Sequence, residues 1–186
     1  MPAPDDNAII AATRAWVEKA VIGLNLCPFA KAVHVKDQIR YVVSAARDDD
    51  ALLRDLSAEL EHLATSAADA IDTTLLIHPH VLNDFLDYNA FLDVADAALE
   101  ALDLDGQLQV ASFHPDYQFD GTAPGDIGNF TNRSPYPTLH LLREISVERA
   151  VAAFPDAADI FETNLRTLRK LGVGGWQALG LTVRSK

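Results

Sequence analysis

The residues 131–144, TNRSPYPTLHLLRE, gather an Asn, an Arg, a His and a Glu around two prolines. His140 and Glu144 stand four residues apart. On a helix they project from one face and can share a ligand; on a strand they lie roughly 13 Å apart and cannot. Ser134 followed by Pro135 matches the cap and first residue of a helix, because proline has no amide hydrogen to leave unsatisfied and its φ is already helical. The pattern therefore predicts a helix from Pro135. A third group is His114, which follows the apolar stretch LQVASF. Two histidines and a carboxylate suit a divalent metal, either Fe(II) with open positions or Zn with a water as fourth ligand. The same residues also serve without a metal: His114 or His140 acts as general acid or base and Glu144 or Asp126 orients it. Asn132, Arg133 and the free amides of the new helix then hold an anionic substrate. The plainer readings are an exposed His–Glu pair, and an Asn and Arg that tie a loop to its own carbonyls.

Two apolar stretches end alike, with His78-Pro79 after TTLLI and His114-Pro115 after LQVASF. If both are parallel strands, both histidines lie on the carboxyl edge of the sheet, where open α/β folds place ligands. Each could instead only cap its strand. Tyr117 and Phe119 could wall a pocket next to them. Cys27, in NLCPFA, follows the first helix with no charged neighbour in sequence to lower its pKa, so it reads as a buried thiol. Catalytic use of Cys27 would need a histidine from elsewhere, with His34 and His114 as candidates.

What must position these groups is legible in the hydrophobic periodicity. Apolar residues from Asp5 to Leu26 recur at helical spacing. IRYVVSA (39–45) alternates as a strand does. From about Asp48 a helix buries Leu52, Leu53, Leu56, Leu60 and Leu63, and TTLLI (73–77) is a short buried strand. A helix from about Asn83 buries Leu92, Ala95, Leu99 and Leu102, and LQVASF (108–113) is a third strand. Helix-linked strands pair in parallel through right-handed crossovers. The expected fold is thus α/β: a small, mainly parallel, three-stranded sheet with helices against it. It continues into a long loop at 116–133 and a helical C-terminal segment, with helices at 146–154 and 156–171, the latter ended by Gly172.

The 186 residues suit one domain, 1–186, with a sizeable core. A formal charge of −12 repels nucleic acid and anionic membrane surfaces. A single cysteine excludes an intrachain disulfide and suits a reducing compartment. The acidic start MPAPDDNA lacks the positive charge of a signal peptide, and no apolar run approaches the roughly twenty residues of a membrane span. A cytoplasmic protein with a small-molecule ligand is the expectation.

Three strings, LNLCPFA (24–30), FHPDYQFDG (113–121) and TNRSPYPTLHLLREIS (131–146), resemble a family of bacterial proteins known as domain-of-unknown-function family 1415. The likeness extends over nearly the whole chain. It marks Cys27, His114, Tyr117, Asn129, Asn132, Arg133, His140, Arg143 and Glu144 among its signature positions, and implies a shared site without naming a reaction. The resulting expectation is an enzyme acting on a small polar or anionic molecule. His114, His140 and Glu144 would do the chemistry, and Asn132, Arg133 and Tyr117 would bind substrate. The alternatives are a ligand-binding or regulatory module using the same pocket and, last, thiol redox chemistry at Cys27.

Overall fold

The computed structural model describes residues 5–153 and 159–181. Helix α1 (Asp6–Trp16) is capped by Asp5, whose carboxylate accepts from the Ala8 amide, and runs directly into a π-helical turn, Val17–Ile22. A short helix α2 (Ala30–Val35) leads to strand β1 (Ile39–Val43). Next come α3 (Asp49–Thr65), β2 (Thr73–Ile77), α4 (Phe85–Ala101) and β3 (Leu108–Phe113). Asp48 caps α3 and Asp84, not Asn83, caps α4, each by accepting backbone amides of the first turn. A 3-10 turn at Ile127–Asn132 closes the long loop, and β4 (Thr138–Arg143), α5 (Glu144–Ala153) and α6 (Ile160–Ala178) follow. The sequence expected helices to reach Phe154 and to begin at Asp156, and both positions lie outside the described residues. Gly172 does adopt the left-handed φ of 68° expected of a helix stop, yet helical structure resumes beyond it.

The sheet corrects the expected three-stranded, mainly parallel arrangement. It is four-stranded and mixed, in the order β1-β2-β4-β3. β1 and β2 pair in parallel, while β4 runs antiparallel to both β2 and β3. β1, β2 and β3 therefore share one direction, as expected, but the crossover through α4 leaves a gap one strand wide that β4 fills.

The expected helix at Pro135 is also overturned, because residues 138–143 are the central strand. The physical reason lies in the second proline. Pro137 pushes Tyr136 out of the α region just as Pro135 does Ser134, so the chain enters extended. Ser134 then donates its hydroxyl to the Tyr136 carbonyl instead of capping a helix. Pro137 cannot donate to a ladder, but its carbonyl accepts from the His78 amide. Buried on both faces, β4 carries leucines on both, which hides the period of two that marks a strand.

Each face of the sheet is covered. On one, Leu76, Leu139, Leu141 and Leu108 pack with Leu52, Leu56, Leu60 and Leu63 of α3 and Tyr88, Phe91 and Ala95 of α4. On the other, Leu75 and Phe113 pack with Trp16 of α1, Val17 and Ala20 of the π-helical turn, and Leu168 and Trp176 of α6. Two Arg side chains tie the layers together. Arg40 of β1 forms a forked pair with Glu59 of α3 at 2.8 and 3.0 Å. Arg143 donates to the carbonyls of Leu63, Ser66 and Ile71, satisfying the end of α3 where the helix dipole favours a cation.

Tyr88 links α4 to the sheet. Its fully buried hydroxyl accepts from the Phe113 amide at 3.0 Å and donates to the Thr138 carbonyl at 2.9 Å, so it sits inside the β3–β4 ladder at the paired positions Phe113 and Thr138. Tyr88→Phe would leave a buried donor and a buried acceptor unmatched, at about 1–3 kcal/mol each. Urea unfolding should show a lower midpoint with unchanged slope; an unchanged midpoint would mean the hydroxyl is dispensable to the ladder.

Candidate functional site

His78 and His114 do lie on one edge, the carboxyl ends of β2 and β3, but that edge is packed shut. Both rings are fully buried against Tyr88, with centroids 5.7 and 5.0 Å from it. The Nε2–H of His114 faces the Leu82 carbonyl and its Nδ1 accepts from the Asp116 amide, so both nitrogens are committed to backbone. This is a strand-end cap. Nδ1 of His78 bonds the Val81 carbonyl, while its Nε2 is buried without a partner among the described residues. Burial lowers the pKa of His78 to about 4 and lowers that of His114 as well.

Around this edge the polar residues of the long loop hold the loop itself. Asn132 donates to the Ser112 carbonyl, and Arg133 donates to the carbonyls of Tyr117 and Pro124 while lying over the Phe130 ring at 4.4 Å. Asn129, fully buried, accepts from the Phe119 amide and donates to the Ala123 carbonyl. Asp126 caps the 3-10 turn through the Gly128 amide. Tyr117 packs between Phe85 and Phe119, each ring 5.1 Å away. A cavity of about 250 Å³ beside Arg133 and Asp116 survives this packing, but the guanidinium that would recruit an anion there is already bonded to the loop.

The metal triad of His114, His140 and Glu144 is not assembled. His140 lies within β4 while Glu144 is the first residue of α5, so the two do not share a helix face, and the strand from His140 to Arg143 alone spans roughly 10 Å. Glu144 donates its amide to the Gln107 carbonyl, before β3 begins, whereas His114 lies past its end. That separation is roughly 23 Å at the rise of a strand. His114 packs against α4, while His140 faces the opposite side of the sheet. Among the described residues, no three His, Cys, Asp or Glu side chains are placed to hold one metal ion.

His140 instead faces a different space. It shares its side of the sheet with its paired residues Leu75 and Ala111, beneath α1, the π-helical turn and α2. There a cavity of about 310 Å³ opens, walled mostly by apolar groups such as Val17, Val21, Val33 and Phe113. Cys27 lines it too, and Asp72, Thr73, Gln109 and Ser146 form a polar end toward the start of β2 and β3. Space of this size, mainly apolar with a few convergent polar groups, is what small-molecule sites offer.

Within the cavity the imidazole is held in one tautomer. Thr73 donates its hydroxyl to the Leu141 carbonyl at 2.7 Å, so toward His140 it accepts: Nε2–H donates to the Thr73 oxygen at 2.6 Å. Nδ1 is then an acceptor, and the ring's one hydrogen bond among the described residues is that from Nε2. Protein surrounds the ring in depth, and desolvation lowers its pKa to about 4. Its remaining accessible surface is toward the cavity. At neutral pH the ring presents an uncharged lone pair to the cavity.

Cys27 is on the wall of the same cavity. It lies just before α2, with the amides of Phe29 and Ala30 bonded to its sulfur, yet burial outweighs them and pushes the thiol pKa up. The histidine that shares its surroundings is His140, not His114; His34 lies 3.6 Å from Glu18.

The profile of a family described as proteins of unknown function (DUF1415) matches residues 8–178. The chain belongs to that family. No curated protein and no solved structure matches it. All three strings by which the sequence resembles the family reach the cavity: Cys27, Phe29 and Ala30 come from the first, Phe113 from the second, and His140, Leu142 and Ser146 from the third. Sequence reasoning selected His140 and Cys27 but missed Asp72, Thr73, Gln109 and Ser146. For Thr73 a signal exists, a pair of threonines opening an otherwise apolar strand.

The two histidines with pKa values near 4 make folding stability depend on pH. Between about pH 6.5 and 4 the unfolded chain binds protons that the folded chain refuses, so stability is complete above the unfolded value and falls as pH drops through this window. For fully buried His78 alone the loss is on the order of 3 kcal/mol. Urea unfolding at pH 7, 5.5 and 4.5 should give steadily lower midpoints. A flat profile would show that the rings titrate normally.

Proposed function

We propose that the protein binds a small molecule in the cavity over His140, and that Nδ1 of His140 orients it by accepting a hydrogen bond. The carrying observation is the imidazole itself: one nitrogen is bonded to Thr73, the other has no hydrogen bond among the described residues, and the ring lines a cavity. An acceptor on a side chain that borders a cavity is open to a hydrogen bond from water or a ligand. This reading moves the site from the carboxyl edge of the sheet, where the sequence suggested it, to the face beneath α1. It also favours an apolar ligand body over a wholly polar one, since apolar walls gain most from covering apolar surface.

Catalysis is the second reading, and the thiol of Cys27 in the same cavity favours it. A fixed-tautomer imidazole is suited to taking a proton from a bound group and returning it. The lowered pKa of His140 makes it a weak base, so binding is placed first.

A small-metabolite panel screened for thermal stabilisation and for turnover separates the two. Ala111→Leu, which fills the space opposite His140, should abolish stabilisation by every binder while the fold persists, and His140→Leu should weaken binders at least tenfold. Stabilisation that survives Ala111→Leu would place the ligand elsewhere. A bound ligand should also slow alkylation of Cys27 by a neutral reagent in proportion to occupancy, and alkylation at an unchanged rate would remove Cys27 from the site.

A further inference from the structure

Resting on the cavity as the binding site, we infer that its ligand is an apolar amine, whose body fills the space over Ala111 and Phe113 and whose N–H groups meet His140 Nδ1 and the carboxylate of Asp72.

The chemical character of the lining supports this class. Among the described residues that line the cavity, Asp72 is the one ionised side chain, and there is no lysine or arginine. Arg143, near in sequence, points to the other face of the sheet and is bonded to the end of α3. A carboxylate or phosphate entering here would lose its hydration and meet a negative charge and an acceptor lone pair, with no cation among the described lining residues to offset them. A donor-bearing ligand finds the reverse.

The two acceptors line the same cavity. Asp72 immediately precedes Thr73, whose hydroxyl touches His140 Nε2. One oxygen of Asp72 is fixed by the Ser146 hydroxyl at 2.7 Å, which orients the carboxylate at the polar end of the cavity. Asp72 is half-buried, so a charged ammonium placed there keeps part of its hydration while the apolar body is enclosed. The negative net charge of −12 favours approach of cations over anions. A volume of about 310 Å³ suits roughly ten non-hydrogen atoms, at the small end of the range for ligand sites.

The test uses three probes of one shape on the full chain: 2-phenylethylamine, 2-phenylethanol and phenylacetate, each titrated by NMR, with ethylbenzene as an uncharged apolar control. The expected order is amine tightest, alcohol next, and phenylacetate at least tenfold weaker than the amine. Asp72→Asn, which keeps the acceptor for Ser146, should bring the amine down to the level of the alcohol. Phenylacetate binding as tightly as the amine, or an amine indifferent to Asp72→Asn, overturns the assignment. If ethylbenzene binds and the amine does not, the cavity is real and the ligand class is wrong. If none of the four binds, the failure lies with the cavity as a binding site.

Discussion

Residues 138–143 must satisfy their backbone hydrogen bonds on both sides at once, because they lie between β2 and β3. That requirement sets the register of β4, and the register sets everything on its two faces. Side chains alternate across a strand, so a slip of one residue would exchange the faces. Leu139, Leu141 and Arg143 point toward α3 and α4, where the leucines are fully buried and the guanidinium closes the end of α3. Thr138, His140 and Leu142 point the other way, and His140 alone of these brings an uncommitted nitrogen to a cavity. The tyrosine hydroxyl spliced into the ladder at Phe113 and Thr138 ties α4 to the same strand.

The polar residues therefore divide by what their hydrogen bonds reach. His114, Asn129, Asn132, Arg133 and Arg143 bond mainly to backbone carbonyls and amides. They hold a loop of irregular structure and the ends of elements, where backbone groups would otherwise go unpaired. His140 bonds a side chain that is itself anchored, and leaves one nitrogen over. Both kinds of residue look alike in a sequence, since a signature of polar residues records that they are needed and not for what.

Neutrality is the electrical theme of the cavity. Burial keeps both the imidazole and the thiol uncharged near neutral pH, and among the described lining residues Asp72 has no lysine or arginine beside it. That arrangement favours donors over anions, in contrast to the anion site that Asn132 and Arg133 suggest when read as a sequence.

The sequence by itself determined the helices at α1, α3 and α4 and the strands at β1, β2 and β3, because each is a local periodicity carried by its own residues: the leucine stripe of α3, the alternation of Ile39, Tyr41 and Val43. It also marked His140 and Cys27 as residues of interest. Only the tertiary structure decided that TLHLLR is a strand. Its two faces are both buried, so no alternation shows, and its lead-in Ser134-Pro135 imitates a helix start that Pro137 then prevents. From that one choice follow the separation of His140 from Glu144 and from His114, the partnership of His140 with Thr73 across sixty-seven residues of chain, and the cavity that they share with Cys27. Those are pairings between distant segments, set by how layers stack, and a local pattern of residue types carries no information about them.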